Sequence, residues 1–337
     1  MSDYGGPLLE HAALCDCAGV LDLSFRSRLC LTGADRQRFL HGQVTNDVNR
    51  LSVGNGCYAA LTTAKGKMVT DLNIYRLEDE FLLDFEPGLS AAVAQRLEKY
   101  VIADDVQVVD VAKPYGHLSV QGPKAPEIIQ RAGWGIEIPE APMSFVKTVE
   151  ASGEIYLMHQ SRAGSRGYDL FVPSGGLVEI ADRLVRSAHE SGGRLCGWEA
   201  LETARIEAGI PRFGVDMNES NLPLEAGLEE RAISFTKGCY IGQEIIARVR
   251  TYGQVAKELR GLRLAFSTML PVKGDKLFKD GKEVGIITSV VASPRLVANI
   301  ALGYVRRECN QIGNELTVRT EGGEISAKIV ELPFATE

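Results

Sequence analysis

The spacing of apolar residues divides the chain into two kinds of region. Up to about residue 250, strand-like apolar runs alternate with segments whose apolar residues recur every three or four positions, which predicts helices packed on sheets. From about Lys257 the pattern changes to short strands separated by turn signals, including the Asp280-Gly281 pair that is typical of hairpins. Strands are predicted at 20–31, 58–62, 72–77, 81–85 and 118–121, and helices after 35, 90, 123, 174 and 198.

These patterns predict an α+β fold with two interleaved subdomains, each an antiparallel sheet with helices, followed by a C-terminal β-barrel. A strand, a glycine turn and a helix occur in that order near residue 30 and again near residue 120, which indicates related units. We place the core domain at 1–250, with subdomains of roughly 18–110 and 111–250, and the barrel at 251–337. Barrel closure would hide edge strands that a small open sheet leaves exposed.

Composition narrows the function classes. The net charge of −7 does not favour direct nucleic-acid binding, which requires a basic surface. The apolar runs are shorter than a membrane span, and the first residues lack the basic and apolar regions of a secretory signal, so we expect a cytoplasmic protein with no membrane partner. The seven cysteines form no CxxC pair, so we expect neither a disulfide framework nor a metal site.

One short segment combines a cysteine with glycines and a lysine. It reads Lys237-Gly238-Cys239-Tyr240-Ile241-Gly242-Gln243-Glu244. If a helix begins directly after it, the helix N-terminus and Lys237 would both favour the Cys239 thiolate, which is the reactive form. The other interpretation is a small cysteine packed in a turn.

This segment matches, position by position, the K-G-C-Y-x-G-Q-E signature of the YgfZ branch of the glycine-cleavage T-protein superfamily, and the chain resembles that family from about Leu21 onward. The segment 205–214 is similar to the start of the superfamily's R-x-E-A-G…G…P-x-E-x-G-L run, and 222–228 to its end. The resemblance implies that the chain binds tetrahydrofolate or a one-carbon derivative.

The resemblance also implies site residues. Asp169 stands where T-proteins place the carboxylate that holds the pterin, and a carboxylate can accept two parallel hydrogen bonds from the pterin's paired N–H groups. The helical period places Arg205 on the apolar side of the helix predicted after 198. Arg205 also matches the arginine that faces the folate cleft, where it would bind the folate glutamate tail or an acid such as Asp169 or Glu207. An outward-facing Asp169 is the other interpretation of that strand.

Two segments depart from the T-protein pattern. Asp71 occupies the second aspartate of the G-G-x-x-D-D-L motif, where the family uses it for catalysis, but Thr70 replaces the first aspartate. Asp71 would relay a proton near the folate or bond to the backbone. The 162–167 segment lacks the aromatic and acidic members of the Gly-Tyr-Thr-Gly-Glu loop, and its Arg162 would attract folate carboxylates.

Three functions follow from the resemblance. The first is a tetrahydrofolate-dependent factor in iron–sulfur cluster assembly or repair, with Cys239 as its essential thiol. Its partners would be iron–sulfur proteins or assembly factors, and its effects on tRNA modification would be indirect. The alternative is a folate-dependent aminomethyltransferase that uses Asp71. The third is a non-catalytic folate-binding module in which Cys239 is structural.

Overall fold

The computed structural model describes residues 1–267 and 269–335, and its architecture confirms the predicted α+β fold with a C-terminal barrel. The helices are α1 (Pro7–Asp16), α2 (Arg36–Gln43), α3 (Ser90–Glu98), α4 (Ala125–Arg131), α5 (Leu177–Glu190), α6 (Trp198–Glu207), α7 (Glu229–Ala232) and α8 (Gln243–Tyr252). The core strands are β1 (Gly19–Asp22), β2 (Ser27–Thr32), β3 (Asn55–Thr62), β4 (Met68–Arg76), β5 (Phe81–Phe85), β6 (Gln107–Asp110), β7 (Tyr115–Gln121), β8 (Phe145–Glu150), β9 (Gly153–His159), β10 (Gly167–Pro173) and β11 (Arg194–Leu195). The barrel strands are β12 (Lys257–Leu264), β13 (Lys276–Lys279), β14 (Lys282–Ser293), β15 (Ala298–Arg306), β16 (Glu315–Thr320) and β17 (Gly323–Val330).

The two core sheets are interleaved along the chain. The chain enters a six-stranded sheet at β1, leaves it to build a five-stranded sheet in the order β3-β4-β5-β2-β6, and then returns at β7. The six-stranded sheet has the order β11-β1-β7-β10-β9-β8, and its β1–β11 pair is parallel while the other neighbours are antiparallel. Two segments, 23–26 and 111–114, therefore join the sheets, and Arg28 of β2 donates hydrogen bonds to the carbonyl oxygens of Ala112 in the second segment and of Tyr115 at the start of β7.

Helices cover one face of each sheet through apolar stripes. On α5, Ile180, Leu184 and Ala188 face the six-stranded sheet at helical spacing and are fully buried. On α3, Val93 and Leu97 pack in the same way against the five-stranded sheet. Burying the isoleucine, leucine and valine side chains contributes roughly 1.5 to 3 kcal/mol each.

Two predicted helix starts differ from the structure. Ser90 is not a cap but the first residue of α3, because Leu89 before it already has helical backbone angles. The helix expected after Ser174 begins at Leu177, since residues 174–176 form a separate 3₁₀ turn.

The barrel closes in the strand order β12-β15-β14-β13-β16-β17. Its β13–β14 turn has positive φ angles at Asp280 (50°) and Gly281 (76°), as a two-residue hairpin turn requires. Ile206 of α6 packs against Leu259, Ile300 and Leu302 of the barrel, so α6 is the helix that joins the barrel to the core.

In the part of the chain that the structure describes, every helix is too short or too polar to cross a bilayer.

Candidate functional site

A cleft with charged walls lies where the two sheets and α6 meet. It brings together three of the predicted site residues, Asp71, Arg162 and Arg205. Strands β3 and β4 contribute Tyr58, Asp71 and Asn73, the segment after β9 contributes Gln160, Ser161 and Arg162, and α6 contributes Trp198, Leu201, Glu202 and Arg205. The other lining residues are Leu23, Arg26, Glu86, Ile210, Pro211, Arg212 and Arg231.

Asp71 has one satisfied and one unsatisfied carboxylate oxygen. The Tyr58 hydroxyl donates a 2.7 Å hydrogen bond to Oδ2. Oδ1 is shielded from solvent and has no hydrogen-bond partner within the described residues. Burial and the neighbouring Glu86 carboxylate raise the pKa of Asp71, because both disfavour its charged form. The arrangement suits a group that accepts a hydrogen bond from a ligand or holds a proton.

Asp84 is the centre of a buried ion network behind the cleft. Arg26 donates to its two oxygens at 2.8 and 3.1 Å, and Arg162 donates to Oδ2 at 2.8 Å. Asn73 adds a 3.0 Å hydrogen bond. Burial opposes ionisation of Asp84, but the two guanidinium groups outweigh it and hold the pKa well below the usual range.

Asp169 belongs to the same network and is not among the residues that line the cleft. Arg162 donates to it through Nε at 2.9 Å and Nη2 at 2.6 Å, and Ser119 donates at 2.7 Å. His117 Nε2 lies 3.2 Å from Oδ2. Burial raises the pKa of Asp169, but Arg162 and His117 outweigh it and lower the pKa to about 2. Arg162 therefore has one side in the cleft and holds two buried carboxylates with the other.

Arg205 is buried, as its helical position predicts, but its acidic partners differ from those expected. It binds Glu202 on its own helix and donates to Asp216 at 2.5 Å, rather than to Asp169 or Glu207. Thr288 and Ser289 of β14 donate to Asp216 Oδ1 at 2.5 and 2.7 Å. The Arg205–Asp216 pair therefore couples the cleft to the barrel.

The cysteine segment forms an anchored loop before α8. Lys237 Nζ donates to the backbone oxygens of His41 and Val44, both at 2.6 Å, and of Asn46 at 2.9 Å. Burial lowers its pKa to about 8. These contacts do not support the expectation that Lys237 stabilises the Cys239 thiolate, because its ammonium group is directed at carbonyl groups at and after the end of α2. Cys239 itself is exposed and is not one of the described cleft-lining residues.

The cysteine segment packs against the turn that precedes Asp71. Gly242 has a φ of 91°, and a Cβ placed there would lie 2.6 Å from the Thr63 carbonyl oxygen, so only glycine fits. Thr62 Oγ1 donates to the Ile241 carbonyl at 2.6 Å. Gly66, with a φ of 70°, packs against Ile245 of α8. The β3–β4 turn and the cysteine segment are therefore in direct contact.

Two protein-family descriptions match the chain, one over the core and one over the barrel. Residues 7–237 match the GCVT N-terminal domain, and residues 257–335 match the glycine cleavage T-protein C-terminal barrel domain. This chain belongs to the glycine cleavage T-protein family. The first match alone covers more than half of the chain.

Relatives in the T-protein family align over nearly the full length. The aminomethyltransferase of Geobacillus kaustophilus is 30% identical over 327 residues, covering 96% of this chain and 89% of that protein. The aminomethyltransferase of Halalkalibacterium halodurans is 29% identical over 346 residues, covering 98% of this chain and 93% of that protein. The crystal structure of glycine cleavage system aminomethyltransferase T from Bartonella henselae has a TM-score of 0.89 at 23% identity, covering 99% of this chain and 91% of that one. That likeness supports the T-protein fold.

Sequence reasoning missed several residues of the cleft, and of the ion network behind it, in this T-protein family member. Asp84 had a detectable signal, because it interrupts the apolar strand Phe81–Phe85 in the way that Asp169 interrupts β10. Tyr58 and Glu86 had none, since each is unremarkable in its own segment and joins Asp71 only through folding. Arg26 likewise meets Asp84 across 58 positions of sequence.

Proposed function

We propose that the cleft binds tetrahydrofolate or a one-carbon derivative, and that the chain transfers an aminomethyl-type one-carbon unit to or from it. The observation that carries the proposal is the unpartnered Oδ1 of Asp71 beside a cleft with several guanidinium groups. A buried acceptor without a donor is costly, and a ligand N–H would satisfy it. The relatives named aminomethyltransferase, aligned over the whole chain, support the same reaction class.

Asp71 is assigned the proton-handling role. Its raised pKa favours exchange of a proton with a folate or substrate nitrogen. Tyr58 fixes the orientation of the carboxylate by its hydrogen bond to Oδ2. Glu86 tunes the Asp71 pKa by its negative charge.

Arg231 is assigned to the glutamate tail of the folate. Its guanidinium lies 5.3 Å from the centroid of the Tyr58 ring and it lines the cleft, and no ion pair engages it among the described residues. Each of the other arginines that line the cleft already has an acidic partner. The pairs are Arg26 and Arg162 with Asp84, Arg205 with Asp216, and Arg212 with Glu202. An exposed cation without an acid is the group best able to bind a carboxylate of the ligand.

The reaction is tested with purified protein, an aminomethyl-lipoyl carrier protein and tetrahydrofolate. Transfer forms bonds from the aminomethyl carbon to the folate and breaks its bonds to sulfur and nitrogen, so methylene-tetrahydrofolate and ammonia appear together with the free carrier thiol. Asp71→Asn is expected to remove this activity, and Asp79→Asn, at an exposed turn position, is the matched control. No product above background with the unmodified chain would eliminate aminomethyl transfer.

A second candidate function rests on Cys239. It is the cysteine whose side chain is exposed, on a loop held by Lys237 and Ile241, whereas Cys17, Cys30 and Cys196 are buried. An exposed thiol on a fixed loop suits a folate-binding factor in iron–sulfur cluster assembly or repair, with tRNA modification affected indirectly. The K-G-C-Y-x-G-Q-E segment, resembling the YgfZ branch, supports this candidate.

Cells that lack the protein separate the two candidates. They are complemented with the unmodified chain, with Cys239→Ala and with Cys309→Ala as a control in the barrel, and iron–sulfur enzyme activities are measured. The second candidate predicts that only Cys239→Ala fails. Full complementation by Cys239→Ala would reject it and leave a structural role for this cysteine, as in a folate-binding module without chemistry.

A further inference from the structure

A second polar site, on the side of α6 away from Asp71, consists of His11, Cys15 and Glu207. His11 and Cys15 are four residues apart on α1, so one face of that helix presents both. Glu207, at the end of α6, places Oε2 2.9 Å from His11 Nε2. Cys15 Sγ lies 3.6 Å from the same nitrogen, and one ligand atom from each residue lies within 4.8 Å of the others.

The convergence on one nitrogen distinguishes this cluster from a proton relay. In a cysteine–histidine–acid relay the thiol and the acid contact opposite ring nitrogens. Here Glu207 contacts His11 Nε2, and Cys15 Sγ lies closer to that same nitrogen (3.6 Å) than to Nδ1 (4.0 Å). Nε2 cannot donate to Glu207 and accept from Cys15 at the same time. A nitrogen, a sulfur and an oxygen within 4.8 Å of one another are a ligand set that a metal ion can bind.

The Sγ–Nε2 separation matches that expected around a tetrahedral ion of the zinc class. Zn–S and Zn–N bonds of about 2.3 and 2.05 Å at a tetrahedral angle place sulfur and nitrogen about 3.6 Å apart. The observed Sγ–Nε2 separation is 3.6 Å. The expected nitrogen–oxygen separation is about 3.4 Å, so His11 and Glu207, now 2.9 Å apart, would open slightly to admit the ion.

The surroundings complete a metal site. Ser293 donates to Glu207 Oε1 at 2.5 Å, which orients the carboxylate as outer-shell groups do in metal proteins. Cys15 and Glu207 line a cavity of about 290 Å³, which leaves room for an exchangeable fourth ligand. Arg295 lies 3.6 Å from Glu207, but its side chain is 47% exposed and can turn to solvent when a cation enters.

We propose that His11, Cys15 and Glu207 bind one divalent ion of the zinc class, with the fourth position open to the cavity between α1, α6 and the C-terminal segment. The site differs from the Asp71 cleft and does not depend on folate. The sequence predicted no metal site because its cysteines form no CxxC pair, and the Cys17 thiol, two residues from Cys15, donates to the Ser191 carbonyl at 3.0 Å. Glu207 is 192 positions from Cys15, so the trio is visible only after folding.

The test uses the full chain, stripped with a chelator and titrated with Co²⁺, which reports thiolate ligation by a charge-transfer band, and then with Zn²⁺ in competition. We expect one ion per chain, with the band abolished by Cys15→Ser and kept in Cys17→Ser and Cys239→Ser. Glu207→Gln and Ser293→Ala should weaken binding roughly 10- to 100-fold, as ligand and outer-shell changes do. Circular dichroism confirms that each variant is folded.

Two results would overturn the proposal. One is the absence of a stoichiometric Co²⁺ complex in the unmodified chain. The other is a band that survives Cys15→Ser or disappears in Cys239→Ser, since the exposed thiol would then be the ligand. If Glu207→Gln does not fold, the Co²⁺ affinity of Ser293→Ala is compared with that of the unmodified chain. An unchanged affinity in Ser293→Ala would then count against the site.

Discussion

The Tyr58 hydroxyl holds Asp71 by a 2.7 Å hydrogen bond to Oδ2 and leaves Oδ1 without a partner in the described structure. Tyr58→Phe removes this constraint but keeps the ring beneath Arg231. We expect a loss of folate-dependent turnover of roughly 10-fold, smaller than the roughly 10²- to 10⁴-fold effect of removing a proton-transfer group with Asp71→Asn. Steady-state kinetics of both variants show whether Tyr58→Phe loses less turnover than Asp71→Asn. Equal losses in the two variants would contradict an orienting role for Tyr58.

Arg162 neutralises two buried carboxylates at once. Arg162→Met leaves Asp169 without its cationic partner and Asp84 with Arg26 alone, so we expect a loss of about 3 to 5 kcal/mol in the free energy of unfolding, as for other broken buried ion pairs. Urea unfolding measures the change.

Arg166→Met is the matched control for that substitution, because Arg166 is exposed four residues further along the same segment. It should change the unfolding free energy by less than about 0.5 kcal/mol. Similar losses in the two variants would show that the Arg162 network does not stabilise the fold.

The network also predicts a pH dependence. Asp169 has a folded pKa of about 2, below the ordinary aspartate value of 3.8, so its stabilising contribution is complete above about pH 4. It is lost as the pH falls from about 4 through about 2, because the proton then binds the unfolded chain more tightly. The contribution is about 2 kcal/mol at neutral pH.

Urea unfolding from pH 6 to pH 2.5 measures this dependence, with Asp169→Asn for comparison. The variant should be less stable at pH 6 and should show a shallower decline in acid. Parallel declines in the two proteins would assign the acid sensitivity to other carboxylates, such as Asp84, whose pKa is also lowered.

The Arg205–Asp216 pair connects the core to the barrel. Asp216→Ala leaves Arg205 without its buried partner and Thr288 and Ser289 without their acceptor, so we expect about 3 kcal/mol of destabilisation. Limited proteolysis should then cut more quickly between α8 and β12.

Asp275→Ala provides a control for that cleavage experiment, since Asp275 accepts a hydrogen bond from Val272 in an exposed turn of the barrel. Its cleavage pattern should match that of the unmodified chain. Unchanged proteolysis in Asp216→Ala would mean that apolar contacts such as Ile206 with Leu302 hold the barrel without this pair.

Local patterns predicted the elements well because strands and helices each leave a periodic apolar signature. The helical period also predicted that Arg205 is buried on α6. It could not identify Asp216 as the partner, because that residue lies in a loop whose path depends on the barrel.

Long-range contacts were the part that sequence could not supply. Asp169 stood out as an acid in an apolar strand, but its pattern did not indicate that Ser119, 50 residues away, would donate to it or that His117 would lie beside it. Lys237 is two residues from Cys239 in sequence, but folding turns its ammonium toward carbonyl groups 191 to 196 positions away.

Isothermal titration of tetrahydrofolate into the unmodified chain, Asp71→Asn and Asp79→Asn tests the proposed function most directly. One site per chain is expected in the unmodified protein and in Asp79→Asn, with affinity reduced at least 10-fold in Asp71→Asn because a charge-assisted hydrogen bond is lost. The absence of binding to the unmodified chain, or equal affinity in Asp71→Asn, would contradict the assignment of this cleft to folate through Asp71.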